Sequence, residues 1–321
     1  MAVAGLVVVA GCTVNAAPST TPSVVAGVSP SASGTATSPA PSLVTPTVVV
    51  RALPPTKPSA AREVVNDHSL VDDVPGADRE PQGPVTFSVS GDTVVIDNEI
   101  PEQPVLVSYR DGRKVRTLRS PDDCCIDLWI EGERYWTLGA NATEWVVAPG
   151  ADRLTGVRGV TLPPDTEDNF GATQGVVAVQ WEGGRLERTD TGLFALPFDG
   201  LPVLLAGSGT PTKWQLSTKG KTLVITDPGF TARIPTRASQ AYADLLSHRG
   251  GYAFYQVSDG VGPNGGYIYQ FTTTGTLVHT YTLHRGVVQE DARTVVITDD
   301  AQVYQLVLSA KTVRVLRLAP N

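Results

Sequence analysis

Short apolar segments, rich in β-branched and aromatic residues, recur along the chain from about residue 84 to residue 318. Examples are the segments 85–89, 93–96, 105–109, 222–225 and 295–298. Many of them alternate partly between apolar and polar positions, which is typical of half-buried β-strands. Turn-forming pairs such as Gly91-Asp92 and Asp111-Gly112 lie between them. This pattern predicts an all-β fold.

The chain also shows a longer repeat. Each repeating unit consists of predicted strands joined by turns and ends in an apolar segment. The six endings are 115–118, 157–162, 201–205, 232–235, 278–283 and 313–318. Their spacing averages about 40 residues, the length of a β-propeller blade built from four short strands. We therefore predict a single β-propeller with six blades over residues 84–321. A pair of β-sandwich domains is the alternative, since sandwich strands also follow one another at short intervals.

Two hairpins show the repeating unit most clearly. They join residues 266–271 to 276–278 and residues 105–109 to 114–118. Residues 239–246 alone have a helical pattern, and they are equally compatible with an inner strand and its approach loop.

This arrangement over residues 84–318 resembles the β-propellers of bacterial extracytoplasmic proteins, including the quinoprotein-like and NHL-like groups. The five tryptophans do not share one position in the predicted blades. We therefore interpret them as packing residues within or between blades.

The N-terminus has a different character. An apolar run over residues 3–9 is followed by Ala10-Gly11-Cys12. This resembles a bacterial lipobox, in which the cysteine sulfur receives a diacylglycerol, the peptide is cut before the cysteine, and acyl chains such as palmitate hold the mature protein on the membrane. The resemblance implies a lipoprotein signal peptide over residues 1–11, lipid attachment at Cys12 and an extracytoplasmic location.

Two other interpretations of this segment fit its residues less well. A bilayer-spanning helix needs roughly 20 apolar residues, which is more than the run over residues 3–9 offers. A cleaved secretory signal ends at an A-x-A-like site, whereas Ala10-Gly11-Cys12 fits the lipobox better. Signal peptides begin with a basic segment, and no Lys or Arg precedes Arg51. We therefore expect a basic segment ahead of Met1.

Residues 12–60 are dominated by Pro, Ser, Thr, Ala, Val and Gly. Residues 29–42 contain no aromatic or charged side chain, so burial cannot offset the entropy lost on ordering. We predict a disordered linker between the lipidated Cys12 and the propeller, with an O-glycosylated stalk as the alternative. Residues 61–83 are predicted to be a loosely attached lead-in segment with one strand near Val64-Val65.

Apart from Cys12, the chain contains only Cys124 and Cys125, which are adjacent in sequence. Thiols outside the cytoplasm tend to be oxidised, and each of these cysteines has only the other as an intrachain partner. We predict a vicinal disulfide between them, with two half-buried thiols as the alternative. Asp122 and Asp123 precede the pair and form a candidate ligand surface with it.

The sequence lacks the motifs of common catalytic and metal sites. The four histidines have no metal-binding spacing, and there is no C-x-x-C, G-x-S-x-G or P-loop motif. The glycine-rich segment 260–266 matches G-x-G-x-x-G, but it lies between two predicted strands and not before a helix, so we interpret it as a hairpin loop and not as a phosphate-binding loop. We therefore predict no catalytic residue, no metal and no cofactor. A net charge of −7 and a pI near 5.1 argue against a nucleic-acid partner.

Taken together, these features favour a non-enzymatic binding or scaffold module for a protein, peptide or cell-wall glycan partner. The alternative is a propeller enzyme, either a quinoprotein-like oxidoreductase or a glycan-active lyase or hydrolase. A solute-capturing lipoprotein of a transporter is disfavoured by the scarcity of helical segments. The composition resembles that of lipoproteins from high-GC Gram-positive bacteria, which implies an anchor in the outer face of the plasma membrane.

Overall fold

The computed structural model covers most of the chain after residue 44. The residues that it describes are 45–70, 84–98, 105–119, 127–131, 133–138, 143–159, 178–181, 184–188, 192–197, 203–207, 214–239, 241–258, 266–286, 294–309 and 311–321. Every regular element in these residues is a β-strand. No helix in the described residues is long and apolar enough to cross a membrane.

Two strands precede the regular repeat, and three four-stranded sheets follow them. The first two strands are β1 (Thr47–Val49) and β2 (Ala61–Asp67). Sheet I contains β3 (Pro84–Ser90), β4 (Thr93–Asn98), β5 (Val105–Arg110) and β6 (Arg113–Arg119). Sheet II contains β7 (Asp127–Glu131), β8 (Arg134–Leu138), β9 (Thr143–Val147) and β10 (Thr155–Gly159). Sheet III contains β11 (Ala178–Trp181), β12 (Gly184–Arg188), β13 (Gly192–Pro197) and β14 (Val203–Gly207).

The last three sheets also have four strands each, but two of them borrow a strand from the N-terminus. Sheet IV contains β15 (Gln215–Lys219), β16 (Thr222–Thr226) and β17 (Thr231–Pro235), completed by β1. Sheet V contains β18 (Tyr242–Arg249), β19 (Tyr252–Ser258), β20 (Tyr267–Thr272) and β21 (Leu277–Thr282). Sheet VI contains β22 (Val295–Ile297), β23 (Val303–Ser309) and β24 (Thr312–Leu318), completed by β2.

The fold is that of a β-propeller, as predicted. Consecutive strands pair antiparallel within each sheet, and first strands of neighbouring sheets contact one another, as β3 does with β7 and β18 with β22. Each of the six predicted apolar endings overlaps, in its described residues, the strand that comes last in the chain within its sheet. These strands are β6, β10, β14, β17, β21 and β24. Residues 239–246 lead into a strand, β18, and not into a helix. Six sheets are seen in the described residues; the number of blades in the whole chain stays a prediction.

The hydrophobic core lies between the faces of neighbouring sheets. Strand β23 shows how the alternation of side chains builds it, because Leu306 packs toward sheet I while its neighbour Val307 packs toward sheet V. Strand β16 presents Leu223 and Ile225 to the tyrosines of sheet V. Inner strands such as β4, β20 and β23 thus bury both faces, and nearly every one of their residues is buried.

Residues 45–67, which we call the N-terminal strap, run along three sheets. β1 pairs parallel to β17 with Thr47 opposite Thr231, and β2 pairs antiparallel to β24 with Asp67 opposite Val313. Between the two strands, the Ser59 amide donates a hydrogen bond of 3.0 Å to the Thr282 carbonyl of sheet V. The strap therefore joins sheets IV, V and VI.

The strap corrects the predicted linker over residues 12–60, because residues 45–60 belong to the folded unit. Val50 is 7 % exposed and lies in the core between sheets IV and V, with Val48 packed against the same core. Burial of these two valines contributes hydrophobic stabilisation to the docking of a segment that is otherwise Pro-rich. The strand expected near Val64-Val65 is β2.

Candidate functional site

Several polar side chains are buried in sheet I. Asp97 and Asn98, at the end of β4, are both 0 % exposed, and Thr86 of β3 and Ser108 of β5 are nearly as buried. Within the described part of the chain, the hydroxyls of Thr86 and Ser108 and both polar atoms of the Asn98 amide make no hydrogen bond. We call these four residues the sheet I polar cluster.

Strand register explains how three members of this cluster share one face. Thr86 lies directly opposite Asp97, and Ser108 lies opposite Val95, two residues before Asp97. Side chains two positions apart on a strand point to the same side of the sheet. Val95 packs with Leu128 of sheet II, so Thr86, Asp97 and Ser108 face sheet II.

Asn98 projects from the opposite face of β4, on the side of Ile96. Ile96 packs in the core between sheets VI and I. Asn98 is also the last residue of β4, so its amide marks the end of the strand. The cluster therefore occupies both faces of sheet I. Thr86, Asp97 and Asn98 lie near the end where β4 stops, and Ser108 lies further into the sheet.

An unsatisfied buried hydroxyl or amide costs about 1–3 kcal/mol. More than about 90 % of buried polar groups in folded proteins have a partner, which is often an ordered water or a ligand. A ligand carrying both donors and acceptors, such as a sugar hydroxyl or a peptide group, matches what these atoms lack.

The candidate ligand surface predicted from the sequence lies outside the described residues. This holds for Asp122, Asp123, Cys124 and Cys125, and it holds equally for Cys12. The predicted disulfide and the predicted lipid attachment stay predictions.

A second polar cluster joins sheets IV and V around Asp227, in the turn between β16 and β17. The buried Asp227 carboxylate accepts a 2.6 Å hydrogen bond from the Tyr255 hydroxyl and a 3.0 Å bond from the Gly229 amide. The His248 Nε2 atom lies 3.1 Å from Oδ2 and 3.3 Å from Oδ1. We call this cluster the Asp227 tie, since Tyr255 and His248 belong to sheet V.

Electrostatics indicate that the Asp227 tie is held with the carboxylate ionised. Burial alone would raise the pKa of Asp227, but the hydrogen bonds from His248, Tyr255 and Gly229 outweigh it and lower this pKa below its usual value. Because both carboxylate oxygens already accept hydrogen bonds, Asp227 is placed to hold two sheets together and not to take a proton from a substrate.

A similar contact joins sheets VI and I. Asp67, at the end of β2, accepts a 2.6 Å hydrogen bond from the Tyr109 hydroxyl and a 2.7 Å bond from the Ser69 amide. Burial raises the pKa of Asp67, but hydrogen bonds from Ser69 and Tyr109 reverse this and hold it below its usual value. Burial and the bond to Asp67 raise the pKa of Tyr109. The N-terminal strap thus carries its own polar tie.

Sequence reasoning missed both ties and the sheet I polar cluster. The Asp227-Pro228-Gly229 segment signals a turn, but the sequence does not show which tyrosine the turn meets.

The prediction that tryptophans pack within or between blades is met at Trp214, whose ring lies edge-on to Tyr255 at 5.6 Å. Among the described residues, no three His, Cys, Asp or Glu side chains are grouped closely enough to hold a metal ion.

Comparisons with known proteins give no family. No protein-family model matches the chain, and no curated protein matches it. Among solved structures, it is similar to the computationally designed Ika8 protein (TM-score 0.37, 14 % identity, covering 75 % of this chain and 85 % of that one). It is also similar to a protein from Lactobacillus plantarum (TM-score 0.36, 12 % identity, 74 % and 89 %). Glutaminyl cyclase from Myxococcus xanthus matches with a TM-score of 0.37 and 10 % identity, over 83 % of this chain and 100 % of that one. The strand pairing of this chain, and not these likenesses, carries the description of its fold.

Proposed function

We propose that this protein is a membrane-anchored extracytoplasmic lipoprotein whose β-propeller is a non-enzymatic binding module for a protein, peptide or cell-wall ligand. The anchor is supported by the apolar run that ends in Ala10-Gly11-Cys12. Two or more acyl chains give stable membrane attachment without a spanning helix.

The binding role is supported by one observation, the sheet I polar cluster. Its buried atoms include hydroxyls that donate and accept and an amide that does both. Peptide groups and sugar hydroxyls present the same two functions, so a peptide or glycan satisfies the cluster where a purely apolar ligand does not.

The variant Thr86→Val tests this role, because it removes one buried hydroxyl while keeping the shape of the side chain. The matched control is Thr93→Val on the same sheet, whose hydroxyl donates a 3.2 Å bond to Asp92 and is not fully buried. Both variants are made in the full chain carrying Cys12→Ser, and binding to purified cell-wall sacculi and to immobilised envelope proteins is measured.

We expect the unsubstituted chain and Thr93→Val to bind alike, and Thr86→Val to bind at least about tenfold more weakly, which corresponds to one lost buried hydrogen bond. The free energy of unfolding of Thr86→Val without ligand should be unchanged or higher, because an unsatisfied polar atom has gone. Equal binding by Thr86→Val, or no binding by the unsubstituted chain to either preparation, would contradict the proposal.

A further inference from the structure

The first strand of the strap, β1, is held on sheet IV by few contacts. It consists of three residues, whereas β2 at the other end of the strap consists of seven. β1 pairs parallel with β17, and parallel pairs are slightly less stable per residue than antiparallel ones. Of residues 45–50, Val48 and Val50 pack inward and the others are exposed. β1 is therefore the end of the strap that detaches at the lower cost.

The edge of β17 supplies the backbone groups that hold β1. The Thr231 amide donates a 2.8 Å hydrogen bond to the Pro46 carbonyl, and the Arg233 carbonyl accepts a 2.9 Å bond from the Val50 amide. β17 runs from Thr231 to Pro235, and β1 pairs with the first three of these residues. The edge is thus longer than the strand that occupies it, and a longer extended segment can pair with more of it.

A side-chain pocket lies beside this edge, between two turns. Phe230, before β17, and Gly275, between β20 and β21, flank Val48. A Cβ atom added at Gly275 would lie 2.6 Å from the Phe230 Cβ and 3.0 Å from the Val48 Cγ2. Val50 enters the core between sheets IV and V. We call Phe230, Gly275 and the edge of β17 the strand acceptor.

The strand acceptor is shaped by contacts that do not involve β1. The Asp227 amide donates a 2.8 Å hydrogen bond to the Phe230 carbonyl, which closes the turn before β17. The Phe230 ring packs on the Phe271 ring of sheet V, with ring centroids 5.0 Å apart. Gly229 lies so close to sheet V that a Cβ atom there would be 1.8 Å from the Thr273 carbonyl oxygen. The acceptor is thus preformed, which reduces the entropy lost when a strand binds.

We propose that the strand acceptor binds an extended peptide segment of a partner protein, and that β1 is an internal occupant which this peptide displaces. When a peptide adds to a sheet edge, main-chain hydrogen bonds give affinity and pockets for alternate side chains give specificity. The fit of β1 states what the peptide carries: β-branched apolar side chains at the positions of Val48 and Val50, in a strand parallel to β17. The position between them accepts any side chain, because Val49 is 61 % exposed.

β1 competes with such a peptide because it belongs to the same chain. Residues 50–60 connect β1 to β2, and a short connection gives β1 a high effective concentration at the acceptor. A partner peptide therefore displaces β1 by pairing with more of β17 than β1 does. While it is docked, β1 also covers a strand edge that would otherwise pair with other chains. The acceptor lies outside the sheet I polar cluster, so its test is independent of the proposed function.

The test uses the full chain carrying Cys12→Ser, with Val50→Asp added to detach β1, because burying an unpaired carboxylate is costly. The matched control is Val49→Asp, which places the same charge on the neighbouring exposed position. The probe is a fluorescein-labelled peptide with the sequence of residues 45–52. Thermal unfolding shows whether both variants fold, and Val48→Ala with Val50→Ala replaces Val50→Asp if that variant does not.

We expect the peptide to bind the Val50→Asp chain at least about tenfold more tightly than the unsubstituted chain or the Val49→Asp chain, in which β1 stays docked. The same peptide carrying Val50→Asp should bind at least about tenfold more weakly than the native peptide. Hydrogen exchange of the Thr231 amide should be faster in the Val50→Asp chain, and the native peptide should slow it again, because that amide bonds to the strand in the acceptor.

Three results overturn the proposal: no peptide binding by a folded chain with β1 detached, equal binding of the two peptides, or exchange at Thr231 that the peptide does not slow. The oligomeric state of the unsubstituted chain supplies a further check. A dimer that Val50→Asp abolishes also overturns the proposal, because the occupant is then the strap of a second copy.

Discussion

Removing the Tyr255 hydroxyl tests the Asp227 tie directly. The variant Tyr255→Phe keeps the ring, which is 0 % exposed and packs in the core between sheets IV and V. It deletes the 2.6 Å hydrogen bond to the ionised Asp227 carboxylate. A hydrogen bond to a charged group contributes about 1.5–3 kcal/mol, so we expect the free energy of unfolding at pH 7 to fall by about 2 kcal/mol.

The pH dependence separates this effect from ordinary packing loss. Hydrogen bonds lower the pKa of Asp227 in the folded state below its unfolded value, which is about 3.9. The tie therefore contributes its full stabilisation above that value and loses it as the pH falls through the folded-state pKa. We expect the difference between Tyr255→Phe and the unsubstituted chain to shrink as the pH is lowered from about 5 to 3.

The assay is urea unfolding of the full chain carrying Cys12→Ser, followed by tryptophan fluorescence at pH 7 and at several lower values. The control is Tyr252→Phe, on the same strand, whose hydroxyl has no hydrogen bond among the described residues. Its unfolding free energy should change by less than about 0.5 kcal/mol. If the two variants lose the same stability, or if the loss at Tyr255 does not vary with pH, the account of the tie is wrong.

Two further substitutions probe the strap and one tight turn. Val50→Ala should lower the free energy of unfolding by about 2 kcal/mol, because Val50 is buried in the core. Val49→Ala should change it by less than about 0.5 kcal/mol, because Val49 is 61 % exposed. If the two variants lose similar stability, the strap is not docked. Gly266 and Gly220 both have a positive φ, so alanine is strained at either position. At Gly266 the added Cβ would also lie 2.1 Å from the Val257 carbonyl oxygen, whereas at Gly220 it would meet no atom within 4 Å. Gly266→Ala should therefore be far more destabilising than Gly220→Ala. Comparable thermal unfolding of these two glycine variants would contradict the close approach.

The arrangement of strands could be predicted largely from the sequence. The hairpin from β20 to β21 and the one from β5 to β6 are where the apolar periods and turn pairs placed them. Residues 239–246 were ambiguous because their apolar spacing suits a helix or a strand, and pairing of β18 with β19 decides between them. Strand period and turn chemistry are local properties, so they can be read without the fold.

The strap and the polar sites could not be predicted in the same way. β1 consists of three residues within Pro-rich sequence, and it is stabilised by a distant strand, β17, that no local pattern identifies. The sheet I polar cluster depends on the register that sets Thr86 opposite Asp97, and the Asp227 tie depends on which sheet packs against a turn. Such contacts join residues that are far apart in the chain, so the local patterns of a single sequence do not identify them.

The central claim is that the folded unit is carried on a lipid at Cys12, and mass spectrometry of the mature N-terminus tests it most directly. The full-length protein is expressed in a Gram-positive bacterium and isolated from its membranes, alongside Cys12→Ser. The account predicts that the mature chain begins at Cys12 with a mass increase of a diacylglyceryl group, and that Cys12→Ser is neither lipidated nor retained in the membrane fraction. An N-terminal peptide that keeps residues 1–11, or an unmodified Cys12, would contradict it.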